Sequence, residues 1–178
     1  MSNTPTNLVV SVACGPVPCD TETGRRFLQE RQALFGKVCF LLALGLYVFL
    51  NLLSTLGNGT PWSRWITHWD NRLHLAVCAA FLAVSIICGR GVALSHLKLS
   101  LVDTLGCLLI GLLIGLLYRP DDISQHTEYM GALAITNVLL LRAIIVPSSA
   151  PQTLMTGALA TIPVVVGFHL AFDDYFAM

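Results

Sequence analysis

The chain has 178 residues, of which ten are basic and ten acidic, so it carries no formal net charge at pH 7. Apolar residues make up 55% and charged residues 11%, with a mean hydropathy of +0.73; a soluble domain carries about 25% charged residues. That balance excludes a soluble globular domain and gives no basic surface for nucleic acid, so the expected principal partner is a lipid bilayer.

Residues 1–19 are expected to form a disordered cytoplasmic tail. "NLVVSVAC" looks superficially like a lipoprotein signal, but no Lys or Arg precedes it, its apolar part is short, and Ser11 stands where an aliphatic residue belongs. Cys14 and Cys19 lack zinc spacing, and the other four cysteines fall within apolar runs, where Cys behaves as a small apolar residue. Free thiols are therefore expected.

Residues 20–37 predict an amphipathic juxtamembrane helix. Asp20 or Thr21 can cap it, Glu22 suits its first turn, and Phe27, Leu28, Arg31, Leu34 and Phe35 recur at helical spacing. The helix is expected to run on into a transmembrane domain over 38–178.

A helix needs about 20 apolar residues to cross the hydrocarbon core, and five runs approach that length. The first covers about 38–56. "TPWSRWITHWD" follows, with Trp62, Trp65 and Trp69 at helical spacing, Thr60 able to cap and Pro61 suited to a first turn. Three indoles on one face predict an interfacial anchor in the headgroup layer, and an aromatic cage for a cationic ligand is the alternative. "NGT" at Asn58 fits the short glycosylation pattern.

The second run, about 73–88, is short enough to allow a re-entrant segment instead of a span. The third, about 99–118, admits Asp103 one turn from its start and carries Gly111 and Gly115 on one face, with Gly106 a further turn before them. Small residues at that spacing let helices approach closely, either within the bundle or in a homo- or hetero-oligomer. The fourth run, about 129–146, admits Arg142 and holds Asn137, which is expected to hydrogen-bond between helices. "VPSSAP" then breaks the chain: Pro147 cannot continue the helix, and Ser148 and Ser149 can cap the fifth run, about 153–172.

Seven basic residues flank the amino-terminal side (Arg25, Arg26, Arg31, Lys37, Arg90, Lys98, Arg142) and three the other (Arg64, Arg72, Arg119). An excess of Lys and Arg marks the cytoplasmic side, so the amino terminus is expected inside, and five spans would leave the carboxyl terminus outside. Asp103 and Arg142 then share one depth near the cytoplasmic face. They can pair across neighbouring antiparallel helices, or each can snorkel separately.

The outer side gathers His68, Asp70, His74, Asp121, Asp122, His126, Glu128, His169, Asp173 and Asp174. Solvated interfacial residues need no further role, whereas His68, His74 and His126 are the candidates if the chain senses a metal or pH. No phosphate-binding glycine loop, H-E-x-x-H motif, nucleophile elbow or kinase catalytic loop is present, so no cofactor is expected and the chain is not expected to be an enzyme by itself.

"RRFLQERQALFGKVCFLLALG" and "LLLRAIIVPSSAPQTLMTGALATIPVVV" resemble the amino-terminal membrane region of receptor-type serine/threonine protein kinases of myxobacteria and their relatives. The matching phrases cover about a third of the chain. In that family a membrane module of about six spans precedes a cytoplasmic kinase domain; here the chain stops after the fifth. The resemblance implies a bacterial inner-membrane module that senses or anchors, the input part of a truncated or split receptor, with Arg142, Pro147, Ser148 and Ser149 matching a recurring motif. A free-standing transporter, channel or accessory subunit is the other reading, and the small-molecule ligand, if any, is unknown. The expected fold is all-α, a polytopic transmembrane helical bundle.

Overall fold

The computed structural model describes residues 13–14, 17–18, 21–116 and 127–176, with side chains for 21–116 and 131–170. Within the segment expected as a tail, β1 (Ala13–Cys14) pairs antiparallel with β2 (Val17–Pro18) over two residues. The other elements among the described residues are helices: α1 (Glu22–Asn58), α2 (Arg64–Thr67), α3 (Trp69–Gly89), α4 (His96–Gly115), α5 (Thr127–Ile145) and α6 (Ala150–Phe176). Among the described residues, α1, α3, α4 and α6 are each long and apolar enough to cross a membrane, and α5 contributes a shorter apolar stretch, Gly131–Ile145. The architecture is the polytopic helical bundle expected from composition.

The amphipathic approach and the first run are one helix. No proline or charge pair interrupts residues 22–58, so α1 runs 37 residues, about 55 Å at 1.5 Å per residue. Thr21 caps it as expected, its hydroxyl accepting the Gly24 amide at 3.1 Å. Gly59 ends it in the left-handed conformation, at φ 67°, and returns its N–H to Thr55; an L side chain is disfavoured there. The inward stripe differs from the expected one. Leu28, Gln29, Gln32, Phe35, Gly36 and Cys39 are buried, while Leu34 is exposed and Arg31 lies over the Phe27 ring, 5.0 Å from its centroid.

α1 and α3 pack antiparallel. Gly36 makes the close approach possible: a Cβ there would stand 2.7 Å from the Ser85 nitrogen and 2.8 Å from the Phe81 oxygen. Beside it the Phe35 and Phe81 rings meet edge to face, centroids 6.1 Å apart, in a core with Cys39, Val77, Cys107, Ile110 and Ile114. α3 begins at Trp69, earlier than the apolar run, because its first turns tolerate Asp70, Arg72 and His74. Its 21 residues remove the length argument for a re-entrant segment.

α4 and α6 pack parallel through small residues. Gly111 faces the Ala160 backbone, Gly115 faces Pro163, and Gly167 faces the Gly115 carbonyl. The Gly111/Gly115 face is therefore covered by the chain's own α6, so of the two arrangements open to the sequence, packing within the bundle is the one formed. Gly106 does not share that face, since its open side meets the Val84 side chain of α3; five residues along a helix turn the direction by about 140° at 3.6 residues per turn. Between α5 and α6, Ser149 accepts the Gln152 amide at 3.3 Å and Ser148 bonds Thr153 at 2.6 Å. Ser149 caps α6 as expected, whereas Ser148 ties its hydroxyl to the Thr153 hydroxyl and, among the described residues, caps no backbone N–H; the connection is only residues 146–149.

Two glycine substitutions should separate packing from helix propensity. Gly111→Ala meets backbone that cannot rotate away and should cost about 1–3 kcal/mol. Gly45→Ala enters open space and should be neutral or stabilise by up to about 1 kcal/mol. Thermal unfolding of the detergent-solubilised protein gives both shifts, and equal shifts for the two would contradict the α4–α6 seam.

Candidate functional site

Asp103 projects from the second turn of α4 and Arg142 from the last turn of α5. Arg142 donates from Nε to Asp103 Oδ1 at 2.9 Å and from Nη2 to Oδ2, a two-point fork. Both side chains are 1% exposed, and Arg142 is among the largest fully buried side chains of the described residues. Neither group snorkels, so of the two arrangements open to the sequence the pair is the one formed. Parallel N–H···O bonds suit guanidinium and carboxylate planes, and they cancel two charges that are costly apart in a low-dielectric interior. Cys107, one turn along α4 from Asp103, is buried in the same core. Thr156 on α6 is fully buried, and its hydroxyl has no hydrogen-bond partner among the described residues.

A collar of amide bonds surrounds the same end of the bundle. Gln29 Nε2 lies 2.9–3.0 Å from the carbonyl oxygens of Cys88, Arg90 and Val92, and its Oε1 accepts the Leu94 amide at 3.0 Å. One side chain of α1 thus holds most of the α3–α4 connection. Gln32 donates to the Leu99 carbonyl at 3.2 Å and accepts from the Cys88 thiol at 3.5 Å. Sequence reading missed both glutamines. Their signal was present: two amides three residues apart on the inward stripe of an amphipathic helix must find partners once buried.

The opposite end is cross-tied by different chemistry. Tyr47 donates to the Trp65 carbonyl at 2.6 Å, Trp65 Nε1 donates to Thr55 at 2.9 Å, and Asn51 and Asn71 exchange amide bonds at 3.2 and 3.0 Å. Here the structure corrects the tryptophan reading. α2 stops at Thr67 and His68 is extended, with ψ 140°, so the three indoles do not share one helical face. Trp65 packs inward on Tyr47, Trp62 stacks on Trp65 with centroids 4.7 Å apart, and Trp69 starts α3 beyond the break. Three rings on one helical face, the arrangement from which a cage was expected, are therefore not formed.

His68 and His74 are not brought together either. His68 sits between Asp70 at 3.3 Å and Arg64 at 3.3 Å on the exposed turn, whereas His74 is packed between helices with Nε2 2.9 Å from the Ala43 oxygen. His126, Asp121, Asp122 and Arg119 lie outside the described residues. Among the described residues no three His, Cys, Asp or Glu side chains converge on a metal-sized site.

Between α1, α3 and α5 lies a half-open cleft of about 560 Å³, lined by apolar side chains such as Leu42, Leu46, Val77 and Ile144 together with His74 and Asn137. Asn137 does not make the interhelical bond expected of it. It is exposed on α5 and its amide has no hydrogen-bond partner among the described residues. Compared with known proteins, the chain matches no family model, no curated sequence and no solved structure.

Removing one partner of a buried ion pair strands the other, so Arg142→Leu should destabilise by about 3–5 kcal/mol. The double substitution Asp103→Leu with Arg142→Leu should cost less than Arg142→Leu alone, because no charge is left uncompensated. Unfolding midpoints of the two single variants, the double and the parent close a thermodynamic cycle, and additive losses would refute the coupling.

Proposed function

We propose that this chain is a non-catalytic membrane module, seated in a bacterial inner membrane with its amino terminus cytoplasmic, which carries the position of its outer face to its inner face as the input part of a receptor serine/threonine kinase. The observation that supports this most directly is α1. It is one unbroken helix whose outer half is bonded to the Trp65 turn by Tyr47 and Thr55, and whose inner half holds the α3–α4 connection by Gln29. A rod fixed at both ends transmits displacement, because packed interiors shift between discrete arrangements instead of deforming continuously. The buried charges add nothing that reacts: Asp103 and Arg142 are occupied with each other. The kinase assignment itself rests on the resemblance of the two quoted phrases.

The second reading, a free-standing transporter, channel or accessory subunit, draws on the cleft beside His74. Reading the gene and its transcript past the Met178 codon separates the two. A kinase glycine-rich loop in frame, or in a cotranscribed neighbour, supports the first; unrelated sequence with no kinase partner moves the second forward.

The relay also has a physical test. Gln29→Leu deletes every bond from α1 to the 88–94 backbone, so amide exchange there, followed by mass spectrometry in nanodiscs, should quicken about ten-fold for each 1.4 kcal/mol of lost protection. Unchanged exchange would show that α1 does not hold that connection.

A further inference from the structure

We infer that the outward face of α5 is a homodimer interface, formed with the α5 helix of a second copy and centred on Asn137. Exposed leucines alone argue nothing in a chain surrounded by lipid, and α1, α4 and α6 expose many. α5 differs in what stands among them. Leu133 is 56% exposed, Leu140 56% and Ile144 78%, with exposed Asn137 between. The steps from 133 to 137, 140 and 144 are four, three and four residues, so these side chains fall on one seam about 60° wide at 100° per residue. In heptad terms Leu133 and Leu140 occupy d, and Asn137 and Ile144 occupy a. Leu at d with a β-branched residue at a favours two strands, and a single Asn at a sets register and oligomer state.

The inward face of α5 is already committed. Ile135, Arg142 and Val146 are buried against the rest of the bundle, and Arg142 lies on the side opposite Asn137. The ion pair therefore fixes the rotation of α5 and leaves Asn137 on its exposed side, at the rim of the cleft. Position 137 is ten residues from Thr127 and eight from Ile145, about 15 and 12 Å along the axis at 1.5 Å per residue. An amide at that depth, at the rim of the apolar cleft and with no described partner, is expensive.

A second copy is the occupant that satisfies it with no further assumption. Two copies inserted with the same topology can be related by a two-fold axis along the bilayer normal, which makes the two α5 helices parallel. An isologous contact places like residues opposite each other, so Asn137 meets Asn137 of the second copy, each amide donating to the other. The cleft between α1 and α5, lined by Leu42, Leu46, Leu140 and Ile144, flanks this seam and gives the partner's side chains room to enter. The Gly111/Gly115 face, spent on α6, takes no part.

The full chain should dimerise reversibly in liposomes, read by single-molecule photobleaching of labelled protein across protein-to-lipid ratios. Asn137→Leu keeps the apolar seam and removes the amides, and should weaken the dimer about ten-fold, within the range of interhelical hydrogen bonds in membranes; Asn137→Gln should restore most of it. In a Cys14→Ser, Cys19→Ser background, Ile144→Cys should give an oxidised dimer and Val165→Cys on α6 should not. A monomer at every ratio, a dimer indifferent to Asn137→Leu, or crosslinking through position 165 but not 144 would each overturn the interface.

Discussion

The Asp103–Arg142 pair is the constraint on which the rest of the bundle turns. An isolated charge in this interior would be costly, and the penalty is contained only while the guanidinium and carboxylate stay in fork geometry. That requirement sets the depth of α5 against α4 and the rotation of α5 about its axis. Pro147 ends α5 just beyond the pair. With Arg142 locked, the chain has one further turn before Pro147, and Ser148 and Ser149 then start α6 in the orientation that lays it parallel to α4.

From that corner the packing propagates through groups that leave no freedom of register. Gly111, Gly115 and Gly167 bring the α4 and α6 backbones together, and Gly36 does the same for α1 and α3. At backbone separation a single methyl group is too much, so these helices cannot slide past one another without separating. The hydrogen-bond ties lie at the two ends, with Gln29 and Gln32 at one and Tyr47, Asn51, Trp65 and Asn71 at the other. Between them lies an apolar core of Phe35, Phe81, Ile110 and Ile114. Among the described residues the polar ties thus stand at the two ends and apolar side chains fill the middle.

Much of this was readable from the chain because bilayer solvation acts on segments one at a time. Length and hydropathy locate helices without knowledge of their neighbours, and α3, α4, α5 and α6 overlap the runs at 73–88, 99–118, 129–146 and 153–172. Caps are equally local, which is why Thr21 and Ser149 could be assigned beforehand. The tryptophan turn failed for a related reason. Spacing predicts a shared face only if the helix is continuous, and nothing local announced that His68 would be extended so that Tyr47 and Thr55 could draw Trp65 inward.

What the sequence determined by itself was therefore the one-dimensional part: the solvent, the apolar segments, the capped ends, and two opposite charges at matching distances from a common end. Only the tertiary structure decided between alternatives that have the same local energy. Asp103 and Arg142 can snorkel or pair, Gly111 and Gly115 can meet α6 or another chain, and Asn137 can face the bundle or the lipid. Each choice depends on which helix lies beside which and on the rotation of each about its axis. Hydropathy is blind to both, because every face of such a helix is apolar enough to be either buried or exposed.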